Sequence, residues 1–108
     1  MATGRLGASD ITSVLAGTNV VAYTVPASTY AVVTVSFCNR SNTAASIRLA
    51  VASADTPTNA EYVEFDTEIM AKGVLERTGL VLDAGKRIIA YSSSDATSVI
   101  VMGIETAA

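Results

Sequence analysis

Apolar and polar side chains alternate one by one through Tyr30–Asn39, YAVVTVSFCN. Ala31, Val33, Val35 and Phe37 fall on one side of an extended chain, and Val32, Thr34, Ser36 and Cys38 on the other. Successive side chains of a strand point to opposite faces, so this period predicts a half-buried β-strand. Pro26 precedes the run and the polar Asn39-Arg40-Ser41-Asn42-Thr43 turn follows it. It is the longest strand signal in the chain and fits the centre of a sandwich.

The same period recurs on both sides of it. In Thr18–Val25, Val21, Tyr23 and Val25 oppose Val20, Ala22 and Thr24, and Pro26 stops the run because proline cannot donate to a ladder. In Ala45–Ala52, Ile47, Leu49 and Val51 oppose Ser46, Arg48 and Ala50, the pattern of a strand with one solvated face. Ser53–Asn59, SADTPTN, is a loop of turn formers. Glu61–Ile69 is a strand with Val63 and Phe65 as core candidates and Tyr62, Glu64 and Asp66 facing out. Val74–Leu82 carries Gly79; a bulge there shifts the phase and lets Leu75 and Leu80 or Leu82 both be buried. Asp83-Ala84-Gly85 is a tight turn in which Gly85 supplies a positive φ. Lys86–Ser92 and Thr97–Glu105 complete the set. The last run is apolar on both sides, with Val99 and Val101 opposite Ile100, Met102 and Ile104, which places it inside a sheet or at a subunit contact.

About seven or eight strands with no helical period predict an all-β chain folded as a single antiparallel β-sandwich, either jelly-roll or Ig-like. Residues 1–17 lack this periodicity. They read as an extended N-terminal arm, with a short strand or turn near Asp10–Leu15, ahead of a sandwich domain spanning 18–108. Such an arm either frays or lies on a neighbouring subunit, with Arg5, Leu6, Ile11 and Leu15 as its anchors.

Composition adds an expectation about partners. Half of the 108 residues are apolar, only 16% are charged, and the mean hydropathy is +0.43. Soluble domains average about 25% charged residues, and exposed apolar patches mark contact sites. The chain is therefore expected to pack against itself in a homotrimer or other homo-oligomer, or against another protein. Tyr62, Val99 and Val101 join Arg5, Leu6, Ile11 and Leu15 as candidate interface residues. The seven basic residues are scattered and the net charge is −3, which argues against nucleic acid as a partner. No run approaches the ~18 apolar residues of a membrane span. The N-terminus lacks the basic-then-apolar order of a signal peptide, so synthesis in a cytosol without export by that route is expected.

Candidate chemistry is sparse. The chain has no histidine, which removes Ser-His-Asp and Cys-His nucleophiles. The single cysteine, Cys38, excludes an intrachain disulfide and a cysteine zinc cage, and reads as a small packed hydrophobe. Asp55, Glu61, Glu64, Asp66 and Glu68 form the one acidic group, but alternation with Val63, Phe65 and Thr67 makes it a solvated strand face before a metal site. Tyr23, Tyr30, Tyr62 and Tyr91 are spread along the chain and suit packing or subunit contact better than a sugar platform. The expectation is a protein without catalytic residues, metal or cofactor.

Five segments together carry a resemblance: the Gly/Arg/Leu start at Met1–Leu6, AYTVPA at Ala22–Ala27, VSFCNRSNTAASIRLAVA at Val35–Ala52, AEYVEFD at Ala60–Asp66, and GVLERTGLVLDAGKRI at Gly73–Ile88. Their order resembles small β-sandwich virion proteins of tailed bacteriophages, found as capsid cement or decoration proteins and as tail or head-fibre modules. The resemblance covers most of Ala22–Glu105. It implies a virion structural protein made in the host cytoplasm, with itself and the major capsid protein or another virion protein as partners. Capsid cement is the first role implied. A tail, baseplate or fibre-attachment component, and a carbohydrate-binding host-adhesion module, are the alternatives.

Overall fold

The computed structural model describes residues 3–12 and 15–108. Among them are eight strands: β1 (Thr3–Ile11), β2 (Val20–Thr24), β3 (Thr29–Asn39), β4 (Ala45–Ala52), β5 (Tyr62–Ile69), β6 (Val74–Leu82), β7 (Arg87–Ser92) and β8 (Thr97–Ala107). One 3-10 turn, Asn59–Glu61, precedes β5. The strands form two antiparallel four-stranded sheets, ordered β1-β8-β3-β6 and β2-β7-β4-β5. First pairs with eighth, second with seventh, third with sixth and fourth with fifth. That nesting is a long hairpin rolled onto itself, the jelly roll, and it decides between the two sandwich topologies left open by the sequence.

The inner faces meet in one core. Ala31, Val33, Val35 and Phe37 of β3 are buried, as their alternation predicts, against Ile47 and Leu49 of β4 and Ile88 and Ala90 of β7. Burying a side chain of this kind stabilises by about 1.5–3 kcal/mol, so this layer supplies much of the driving force. The bulge expected at Gly79 is present. Leu80 pairs with Val33 but Arg77 with Val35, so Thr78 and Gly79 stand together opposite Thr34, and Gly79 takes φ 71°. Leu75, Leu80 and Leu82 then all face inward, opposite Phe37, Val33 and Ala31.

At the sandwich rim, Asn39 is fully buried and bridges two loops. Its Oδ1 accepts from the Ser41 amide (3.1 Å) and hydroxyl (2.7 Å). Its Nδ2 donates to the carbonyls of Thr43 (2.8 Å), Met70 (3.1 Å) and Ile69 (3.3 Å). The side chain ties the turn after β3 to the end of β5, and its bond to the Ile69 carbonyl is fully buried.

Three sequence expectations are corrected here. Thr3–Ile11 does not extend as an arm. It is the edge strand beside β8, with Ile11 fully buried, and the Gly7 backbone lies so close to the Ala22 carbonyl that a Cβ would overlap it. The period was hidden because β1 is bulged at Leu6, between the pairs Arg5↔Met102 and Gly7↔Val101. After β1 the chain turns through Thr12 and Leu15–Thr18; Ser13 and Val14, within the expected turn, and Met1 and Ala2 lie outside the described residues. Second, Phe65 is not core. Leu49 pairs with Glu64 and Ile47 with Thr67, so Phe65 and Asp66 bulge opposite Arg48 and Phe65 swings outward, 55% exposed. Third, Glu64 turns the other way: half-buried at the open rim, it pairs with Arg77 of β6 (3.1 Å) and accepts from Thr67 Oγ1 (2.8 Å).

Candidate interaction surface

The outer face of the β1-β8-β3-β6 sheet follows from register. Rows of residues cross the strands side by side. One row runs Thr3, Ile104, Val32, Val81. The next holds Arg5, Met102 and Thr34, followed by Ala8, Ile100, Ser36 and Glu76, then Asp10, Ser98, Cys38 and Val74. The outward positions of the two central strands are Tyr30, Val32, Thr34, Ser36 and Cys38 on β3 and Ser98, Ile100, Met102, Ile104 and Thr106 on β8, and none is charged. Ile104, Val32 and Val81 are 47%, 36% and 69% exposed. They make a continuous apolar ridge across three strands.

Charge is confined to the margins of this face. Arg5 stands on the edge strand, Glu76 on the opposite edge, and Asp10 pairs with Arg40 at one end. Gly103 sits on β8 where a Cβ would overlap the Val32 carbonyl of β3, so only glycine fits at this point beside the ridge. Cys38 is half-buried on this face, on the side of β3 away from Phe37.

The predicted interface residues scatter. Arg5 is exposed on this face, as a contact residue must be, while Leu6 packs partly into the core. Leu15 is exposed in the β1–β2 turn. Ile11, Val99 and Val101 are corrected: all are fully buried, with Val99 paired to Phe37 and Val101 to Val35 on the inner face. The outward residues of β8 are its other apolar set, Ile100, Met102 and Ile104. Both sets are apolar, so only the pairing with β3 reveals which one looks out.

Tyr62 belongs to a second surface, on the outside of the other sheet, that sequence reasoning missed. The Arg48 guanidinium carbon lies 4.1 Å from the Phe65 ring centre and 4.5 Å from that of Tyr91. Tyr62 meets Phe65 edge-on, with centroids 4.9 Å apart and planes at 84°. Tyr62 also covers a small buried patch of Ala50, Ala52 and Ile89. Arg48 donates from Nε to Asp66 Oδ1 (2.6 Å) and from Nη2 to Oδ2 (3.3 Å), which holds the Asp66 carboxyl below the usual range. The remaining tyrosines stand apart: Tyr30 on the first sheet, and Tyr23 buried with its hydroxyl donating to Glu105. Burial, then that carboxylate, pushes the Tyr23 hydroxyl pKa far up.

The acidic group likewise divides among separate partners. Asp55 pairs with Arg87 (2.9 Å), Glu64 with Arg77 and Asp66 with Arg48. Glu61 accepts from the amides of Thr58 (2.8 Å) and Ser53 (3.1 Å), which lowers its pKa. These carboxylates fasten the rim and the β4–β5 loop. Compared with protein-family models, curated proteins and solved structures, the chain matches none of them.

Proposed function

We propose that this protein is a virion structural component of a tailed bacteriophage, a capsid cement or decoration protein that works by packing against copies of itself and against the shell. The observation that carries the reading is the charge-free outer face of β8 and β3 with its Ile104–Val32–Val81 ridge. With strands about 4.8 Å apart and residues rising about 3.4 Å each, the whole four-stranded face, its charged margins included, spans roughly 19 by 31–37 Å, since two strands have nine residues and two have eleven. That is close to the roughly 800 Å² each partner contributes to a standard interface. The order of sequence motifs, which resembles that of small phage virion proteins, suggests the particle as the setting, and jelly rolls are a recurrent capsid architecture, an analogy of fold alone.

Contacts made only in the assembled particle stabilise it by mass action, since they bind the assembled state and not its parts. The test is the composition of purified particles from the phage that encodes the chain, with the protein located by labelled electron-microscopic imaging. A fixed stoichiometry and density on the shell supports the cement role. Density at the tail or fibres replaces it with the attachment role, and absence from particles refutes the reading.

A further inference from the structure

We infer that the outer face of β4 and β5 binds a neutral sugar ring, with Tyr62, Phe65 and Asn59 as the site. These three residues line a depression of about 320 Å³. That volume sits at the lower end of small-ligand sites, which run from about 300 to 1,000 Å³. It lies on the opposite sheet from the apolar ridge, so the inference stands independently of the packing role.

The corner is preformed. Two rings at 84° make an apolar angle, and Phe65 stays 55% exposed within it. A phenylalanine gains nothing from water contact, yet the strand bulges to place it there. Asp66 accompanies the bulge with φ 54°, in the left-handed region that aspartate tolerates better than most residues with a Cβ. Bulges recur where a side chain is re-aimed for function. Arg48, forked onto Asp66 and packed on the rings of Phe65 and Tyr91, fixes the orientation.

Ligand class follows from charge and shape. Arg48 and Asp66 neutralise each other, and the Glu61 carboxylate beside Tyr62 is turned onto the Thr58 and Ser53 amides, which leaves the site without a free cation to attract an anion. A cationic ligand would meet the guanidinium already on the Phe65 ring. An anion would meet the Asp66 carboxylate. What remains is an apolar corner edged by the Asn59 amide and the Tyr62 hydroxyl, each both donor and acceptor. A pyranose matches this: its C–H face lies on the negative face of an aromatic ring, and its hydroxyls both donate and accept.

The experiment is an amide-shift titration of the ¹⁵N-labelled full chain with methyl glucoside, galactoside, mannoside and N-acetylglucosaminide. Methyl glucuronide, glucosamine and a proline-rich decapeptide are the comparison arms. At least one neutral glycoside should shift amides across Asn59–Asp66 and at Arg48. Phe65→Ala should weaken that binding by about tenfold or more while the rest of the spectrum stays unchanged. Asn59→Ala and Tyr62→Phe, which keep both rings, should weaken it measurably and guard against a folding defect in the first variant. The inference is overturned if no neutral glycoside moves these amides, if Phe65→Ala binds as the wild type does, or if the charged sugars or the peptide bind more tightly than every neutral glycoside.

Discussion

Replacing Ile104 with lysine should abolish self-association without unfolding the protein. Ile104 stands in the middle of the ridge, opposite Val32 on β3 and 47% exposed. Val32, Met102 and Val81 beside it are 36%, 37% and 69% exposed. Full burial of such a side chain stabilises by about 1.5–3 kcal/mol, so covering the exposed parts of these four is worth about 3–6 kcal/mol per copy. Two copies face to face gain about twice that, against an association cost of about 4–15 kcal/mol. The balance is a weak contact in isolation, which a shell presenting many copies multiplies. Lysine at 104 forfeits about 1 kcal/mol of apolar burial and sets an ammonium against a surface with no counter-charge, costing several kcal/mol more. At about 1.4 kcal/mol per tenfold, the dissociation constant should rise at least about a hundredfold. Sedimentation over a concentration series measures it, with thermal unfolding as the check on folding. Val21→Lys, at an equally exposed position on the other sheet, is the control and should leave association intact. A wild-type chain that stays monomeric at every concentration, an unaffected Ile104→Lys variant, or an equal effect from Val21→Lys would refute the reasoning.

Asn39→Ala should cost about 1–3 kcal/mol in urea unfolding, because the buried Ile69 carbonyl loses the Asn39 amide, while the Met70 and Thr43 carbonyls keep the Gly73 amide and the Ser41 hydroxyl. A loss below about 0.5 kcal/mol, the usual range of an indifferent surface change, would show the bridge to be idle. Deleting residues 1–11 should destroy cooperative melting, since it strips an edge strand from β8 and removes Ile11 from the core; a sharp, wild-type-like melt would mean β1 is dispensable. Acid should destabilise through Glu61, Asp66 and Asp83, whose pKa values are lowered by backbone amides, Arg48 and Lys86 respectively. Their contribution is present above the ordinary carboxylate range near about 4 and is lost as pH falls through the depressed values. Glu61→Gln should therefore flatten the acid limb of a melting-temperature profile. The sign reverses for Tyr23: its raised pKa keeps the contribution whole below about 10 and loses it as pH climbs beyond, so Tyr23→Phe should flatten the alkaline limb.

Much of the sandwich was legible because its central strands alternate strictly. Ala45–Ala52 and Val74–Leu82 were bounded to the residue, and the Gly79 bulge could be anticipated from one glycine out of phase. What escaped were places where a bulge breaks the period. Leu6 hides β1 by displacing Arg5 and Gly7, and the Phe65-Asp66 bulge turns Phe65 outward and Glu64 inward while Val63 keeps its expected side. The ridge escaped for another reason. Val99 and Ile100 are equally apolar, and only the register with Phe37 decides which turns inward. The aromatic corner depends on Arg48 and Tyr91 meeting across β4 and β7, a pairing that no local pattern contains.

Cys38 offers a native reporter of the central claim, since it is the chain's single thiol and lies half-exposed on the outer face of β3. Its rate of maleimide labelling should be compared between dilute free protein and intact purified particles. Strong slowing on the particle is the result expected of a covered β1-β8-β3-β6 face. Equal labelling rates in the two states would contradict packing through that face.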